Sequence, residues 1–98
     1  MTINKTRDGE KLSIAIVGRL DTMTAPQLEA ELKSAVDGVT ELSLDLAELE
    51  YISSAGLRVL LTAQKVMNRQ GSMVIHNVND TVRDVFEVTG FVDILTIE

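Results

Sequence analysis

The stretch from Leu42 to Met67 changes hydrophobic period partway along, and that change constrains the fold more than any other feature. Leu42, Leu44 and Leu46 alternate with Ser43 and Asp45, the two-residue period of a strand with one buried face. After the connection Ala47 to Ile52 come two adjacent hydroxyl residues, Ser53 and Ser54. Beyond them Leu57, Leu60, Leu61, Gln64 and Met67 recur every three or four residues, the spacing of one helix face. A strand that feeds a helix through so short a connection must bury both apolar surfaces against one another, so an α/β layer is required.

The flanking chain repeats this logic. Thr2 to Thr6 reads as a short edge strand, Asp8-Gly9 as a turn, and Lys11 to Val17 as a strand with Leu12, Ile14 and Ile16 on one face. Thr24 is placed to cap a helix with Pro26 in its first turn and Gln27 completing a capping box. In that helix Ala25, Leu28, Leu32, Ala35 and Val36 form the inner stripe, and Gly38 ends it. Gly71 closes the second helix, Ser72 to His76 forms a further strand, and Asn79 caps a third helix with Val82, Val85 and Phe86 inward and Gly90 past its end. Phe91 to Ile97 is expected to add a final strand, burying Ile94, Leu95 and Ile97. The resulting order, β-β-α-β-α-β-α-β, predicts an α/β fold with a mixed, mostly parallel sheet and helices packed on it.

Ninety-eight residues with 45% hydrophobic content support one domain, residues 1–98, with a single core. Nine basic and fifteen acidic residues give a net charge of −6, which opposes binding to nucleic acid. With no cysteine, disulfides and thiolate metal sites are excluded, and a reducing, cytoplasmic setting is expected. The first residues, Met1 to Arg7, lack an apolar run of signal-peptide length, and no stretch is long enough for membrane insertion.

Little of the chain suggests catalysis. His76 is the sole imidazole, and nothing in its spacing ties it to Ser53 or Ser54. Phosphate-loop, dinucleotide, hydrolase-elbow and zinc-protease patterns are all absent. Asp45, Glu48 and Glu50 cluster without calcium-loop spacing. No enzyme activity, cofactor or metal is therefore expected.

Four features carry readings that the residues alone leave open. Ser53 or Ser54 is a helix cap, and an accessible serine there is also a place where an added phosphate would meet N–H donors. Gly56, inside the first turn, costs about 1 kcal/mol relative to alanine, which implies close approach of another backbone or of a partner. Asp21 either braces the loop before the first helix or presents a charge to a partner. Arg58, Thr62, Lys65 and Arg69 line one outer helix face, either as a solvated surface or as a surface for an acidic partner.

Three segments together resemble a known family: Gly18-Arg19-Leu20-Asp21 with Thr24-Ala25, then Tyr51 to Leu57, then Val85 to Phe91. They are similar, in order and across essentially the whole chain, to the signature regions of bacterial STAS domains, above all the single-domain anti-sigma factor antagonists. The resemblance implies the STAS fold and a role in transcription regulation by partner switching. In the family an Asp-Ser-[Ser/Thr]-Gly-Leu motif opens the second helix, and the serine after the Asp accepts a phosphoryl group. By position Ser54 matches that serine, Ala55, Gly56 and Leu57 match the residues after it, and Ser53 stands in place of the Asp. Asp21 matches the aspartate of the first loop and is implied to lie near Ser54. The phosphoacceptor implied is Ser54, and the partner-binding residues implied are Asp21, Thr22, Ser53, Ala55, Gly56, Leu57 and Arg58.

The partners implied are an anti-sigma factor of the serine-kinase, GHKL-ATPase type and a PP2C-type phosphatase. Two other functions compete: a STAS adaptor that works without phosphorylation, and a ligand-sensing module for a nucleotide or lipid in a signalling or transport assembly.

Overall fold

In a computed structural model that describes residues 1–98, the chain forms five strands, three α-helices and one 3-10 turn. The hairpin of β1 (Thr2–Asp8) and β2 (Lys11–Leu20) pairs Thr2 with Val17 through to Asp8 with Lys11, and Gly9 takes φ +62° at its tight end. Then follow α1 (Ala25–Ala35), β3 (Glu41–Asp45), β4 (Leu49–Ile52), α2 (Ser54–Gln70), β5 (Ser72–His76) and α3 (Asp80–Thr89). The main sheet runs β1-β2-β3-β5, with β1 antiparallel at one edge and the remaining pairs parallel.

The strand β4 lies where the sequence reading placed only a connection. It pairs parallel to the last residues of β2, beyond the point where β3 stops: β3 takes Lys11 to Ala15 of β2, and β4 takes Gly18, Arg19 and Leu20. The register slips between Gly18 and Arg19, and the buried positions of β4 are its two ends, Leu49 and Ile52. Both irregularities erase the alternation by which a half-buried strand is recognised.

At the C-terminus the reading needs a second correction. Phe91–Asp93 is a 3-10 turn, and the expected strand shrinks to one bridge between Ile97 and Ile75, with the Ile75 N–H donating to Thr96 O and the Glu98 N–H to Ile75 O. Leu95 is buried, whereas Ile94 is 48% exposed.

All the alternation in β2, β3 and β5 points one way. Leu12, Ile14, Ile16, Leu42, Leu44, Met73 and Ile75 are buried, while Ser13, Ser43 and His76 face away from them. With Leu28, Leu32, Leu60, Met67, Val82 and Phe86 from the helices, these side chains belong to one core of 23 residues. Ends are tied down by polar groups. Arg7 donates from Nη1 to Ala35 O and Asp37 O, placing a cation on the carbonyl end of α1, and Lys5 pairs with Glu31. Asn79 caps α3 as expected: its Oδ1 accepts from the Val82 N–H at 2.9 Å, and its Nδ2 donates to Leu49 O of β4 at 2.6 Å.

Candidate functional site

The mouth of α2 is positioned by the two parallel strands that end beside it. Leu20 is the register partner of Ile52, and the Ser53 N–H donates to Leu20 O at 2.9 Å. Asp21 and Ser53 therefore leave the sheet side by side, about one strand spacing, roughly 4.8 Å, apart.

The two serines differ sharply in what they do. Ser53 is the N-cap, with extended backbone at φ −98° and ψ 175°; its Oγ accepts from the Gly56 N–H at 3.4 Å and its carbonyl accepts from the Leu57 N–H at 2.9 Å. It is half-buried and committed to the helix. Ser54 is the first helical residue, is exposed, and makes no side-chain hydrogen bond within the protein.

Behind the serines the helix presses on the core. A Cβ on Gly56 would lie 2.7 Å from Leu20 Cγ and 2.9 Å from Ile52 Cγ1. The close approach implied by this glycine is thus to the chain's own strands, and Gly56 and Leu57 are both buried. They act from beneath the surface. Ala55 is half-buried, and Arg58, one turn along, is exposed.

On the other side of the mouth, Asp21 braces its own loop. Its Oδ1 accepts from the N–H groups of Met23 at 3.0 Å and Thr24 at 3.1 Å. Thr24 does not cap α1 with its side chain, contrary to the sequence expectation. Its Oγ1 instead accepts from the Asp21 N–H and donates to Arg19 O, both at 2.8 Å, so the hydroxyl is consumed before it can reach forward. The Thr24 N–H holds the Asp21 carboxyl below its usual range; the Met23 N–H, the Thr24 hydroxyl and the Arg19 charge add to this, against a smaller opposing effect of desolvation. Thr22 is exposed beside it, as is Met23 at 86%.

Two residues that sequence reasoning did not single out complete the rim. Arg19 Nε lies 3.9 Å from Asp21 Oδ2, and its guanidinium carbon sits 4.4 Å from the centre of the Tyr51 ring. Arg19 and Tyr51 are register partners on β2 and β4, so finding the pair requires knowing that β4 exists.

Elsewhere the surface offers less chemistry. His76 lines an open polar groove of about 350 Å³ with Asn4, Thr6, Ser13, Ser43 and Asp45, and neither Ser53 nor Ser54 borders it. Between α1 and α2 an apolar cleft of about 60 Å³, floored by Leu32, Val59 and Ala63, is too small for a nucleotide. No three acidic or imidazole side chains gather so as to hold a metal ion, and no helix is long and apolar enough to cross a membrane. Along α2, Arg58, Lys65 and Arg69 are exposed and take part in no ion pair.

Comparison with known proteins places this geometry in context. The family model described as "Mlab, STAS domain" matches residues 3–96. BtrV of Bordetella bronchiseptica is 44% identical over 88 residues, covering 88% of this chain and 76% of that protein. The anti-sigma-B factor antagonist of Listeria monocytogenes is 34% identical over 97 residues, covering 96% and 84%. Among solved structures, an anti-sigma factor antagonist from Mycobacterium paratuberculosis superposes with a TM-score of 0.89 at 22% identity, covering 98% of this chain and 83% of that one. The phosphorylated form of the Bacillus cell fate determinant SpoIIAA superposes with a TM-score of 0.77 at 21% identity, covering 99% and 91%.

Proposed function

The chain belongs to the STAS family, with the anti-sigma factor antagonists as its relatives, and from that premise we propose that it antagonises a serine-kinase anti-sigma factor and is switched off by phosphorylation at Ser54. The observation that carries this reading is the division of labour between the serines. Ser53 is spent on capping α2, so Ser54 is left as an exposed hydroxyl with no partner of its own. The replacement of the family aspartate by Ser53 is compatible with it, because an N-cap is a position where Asp and Ser serve almost equally.

In the unmodified state the partner, of the GHKL-ATPase type, docks over the mouth of α2. Asp21, Thr22, Ser53, Ala55 and Arg58 form the rim that it meets. Gly56 and Leu57 hold that rim against β2 and β4. Docking occupies the anti-sigma factor and frees the sigma factor, in the cytoplasm. The partner then brings the γ-phosphorus of its bound ATP to Ser54. The Oγ–P bond forms as the bond to ADP breaks, and the hydroxyl proton passes to a base of the kinase. The phosphoserine carries a charge of about −1.5 to −2. Asp21, a carboxylate at neutral pH, leaves the strands beside Ser53 and so adds like charge at the same helix mouth. A dianion there makes the closed interface costly to desolvate, and the partner dissociates. A PP2C-type phosphatase resets the chain by hydrolysing the ester to inorganic phosphate and the free hydroxyl.

Titration calorimetry with the cognate kinase tests the switch. Unmodified chain should bind, and Ser54→Glu should bind about tenfold more weakly or worse. Equal affinity of the two would leave the adaptor role, without phosphorylation, as the function.

A further inference from the structure

We propose that Arg58 is the intramolecular counter-ion of a phosphate on Ser54, so that one modification both adds a dianion to the docking surface and withdraws a cation from it. This deepens the phosphorylation reading and rests on Ser54 being the modified residue.

Helix geometry brings the two together. Ser54 and Arg58 are four residues apart on α2, both exposed, and such side chains are neighbours with Cβ atoms about 5–6 Å apart. Helical side chains lean toward the N-terminus, so the long Arg58 side chain has the reach to cover a phosphate on the turn that holds Ser54. An anion N-terminal to its cation at this spacing is also the favoured orientation.

The state of the other charges leaves Arg58 free for this task. Of the chain's nine lysines and arginines, Lys5, Lys11, Arg19 and Lys33 stand in ion pairs, and Arg7 is spent on backbone carbonyls. Arg19, the other guanidinium at the mouth, is divided between Asp21 and the Tyr51 ring. The α2 sequence contains no Asp or Glu, so no acid of that helix competes for Arg58. Only the Arg58 carbonyl is engaged by a side chain, accepting from the Thr62 hydroxyl at 3.0 Å, and its guanidinium has no partner. A planar fork of N–H donors matches a phosphate better than a point charge does.

The test needs neither kinase nor partner. Phosphoserine is installed at position 54 during synthesis, and the phosphate is titrated by phosphorus NMR, with amide spectra confirming the fold. In the otherwise natural chain the second phosphate pKa should fall below the value near 6 of a free phosphoserine. In Arg58→Gln it should rise by about 0.3 pH unit or more, with Arg58→Lys between, and about 0.5 M salt should remove most of the difference. Identical titrations for the natural and Arg58→Gln chains overturn the proposal. So does a shift caused by Arg19→Gln with none from Arg58→Gln, which would make Arg19 the counter-ion. Because the phosphate is built in, failure of a kinase to modify Ser54 leaves this result untouched.

Discussion

Replacing Gly56 with alanine sets two effects against each other, and the structure decides between them. Helix propensity alone predicts a gain of up to about 1 kcal/mol, since glycine is the poorer helix residue. The added methyl, however, would sit 2.7 Å from Leu20 Cγ, 2.9 Å from Ile52 Cγ1 and 3.0 Å from Leu20 Cδ2. Carbon atoms pack at about 3.5–4.0 Å, so the mouth of α2 or the two side chains must yield by close to 1 Å. Leu20 and Ile52 are 0% and 2% exposed and have no open space to enter. Overpacking of this kind costs about 1–3 kcal/mol, which set against that gain leaves a net loss of about 1 kcal/mol at mid-range and up to about 2 kcal/mol. For a domain of this size that lowers the midpoint of thermal unfolding by about 5 °C at mid-range and by up to about 10 °C. The displacement also strains the Ser53 N–H bond to Leu20 O, so exchange of that amide should quicken. In a Leu20→Ala background the same methyl should cost less, because Leu20 Cγ and Cδ2 are gone and only the 2.9 Å approach to Ile52 Cγ1 remains. A Gly56→Ala chain that melts at or above the natural temperature would refute the packing argument and leave propensity as the ruling effect.

Two further outcomes follow from the loops that frame the site. Asn79→Ala removes both the cap on α3 and the donor to Leu49 O, so urea unfolding should report a loss of about 1–3 kcal/mol, while Asn79→Ser should recover about half by restoring the cap. For Asp21 the sign depends on pH: its folded carboxyl lies below the ordinary value of 3.8, so its contribution to stability is complete above that value and is lost as pH falls through the folded one. The stability gap between natural chain and Asp21→Asn should therefore be widest at neutral pH and shrink in acid. A constant gap across the titration would contradict this.

How far the sequence could be read depended on whether periodicity was intact. Val82, Val85 and Phe86 keep a clean period and α3 stands where the pattern puts it, whereas Leu12, Ile14 and Ile16 place the start of β2 but not its end, which lies at Leu20 and not at the expected Val17. β4 was not legible because its register slips beside Gly18 and its middle two residues are exposed. That one omission hid the physical reason for the site, since the pairing of Leu20 with Ile52 is what sets Asp21 beside Ser53. The resemblance implies that Asp21 lies near Ser54, but it says nothing of the strand that brings Asp21 to the neighbouring Ser53. Arg19 over Tyr51 was invisible for the same reason. Thr24 illustrates a different limit: a hydroxyl suited to capping found nearer partners behind it, at Asp21 and Arg19. Gly56 in the sequence points to close approach of another backbone or of a partner; the groups that approach are instead the side chains of Leu20 and Ile52.

The account turns on which of two adjacent hydroxyls is free to react. Incubation of the chain with its kinase and ATP, followed by fragmentation mass spectrometry, answers this directly. The phosphoryl group should be found on Ser54 and lost entirely in Ser54→Ala, with Ser53 unmodified in both. Phosphate on Ser53, or an unmodified chain after full turnover of the kinase on a known substrate, would contradict it.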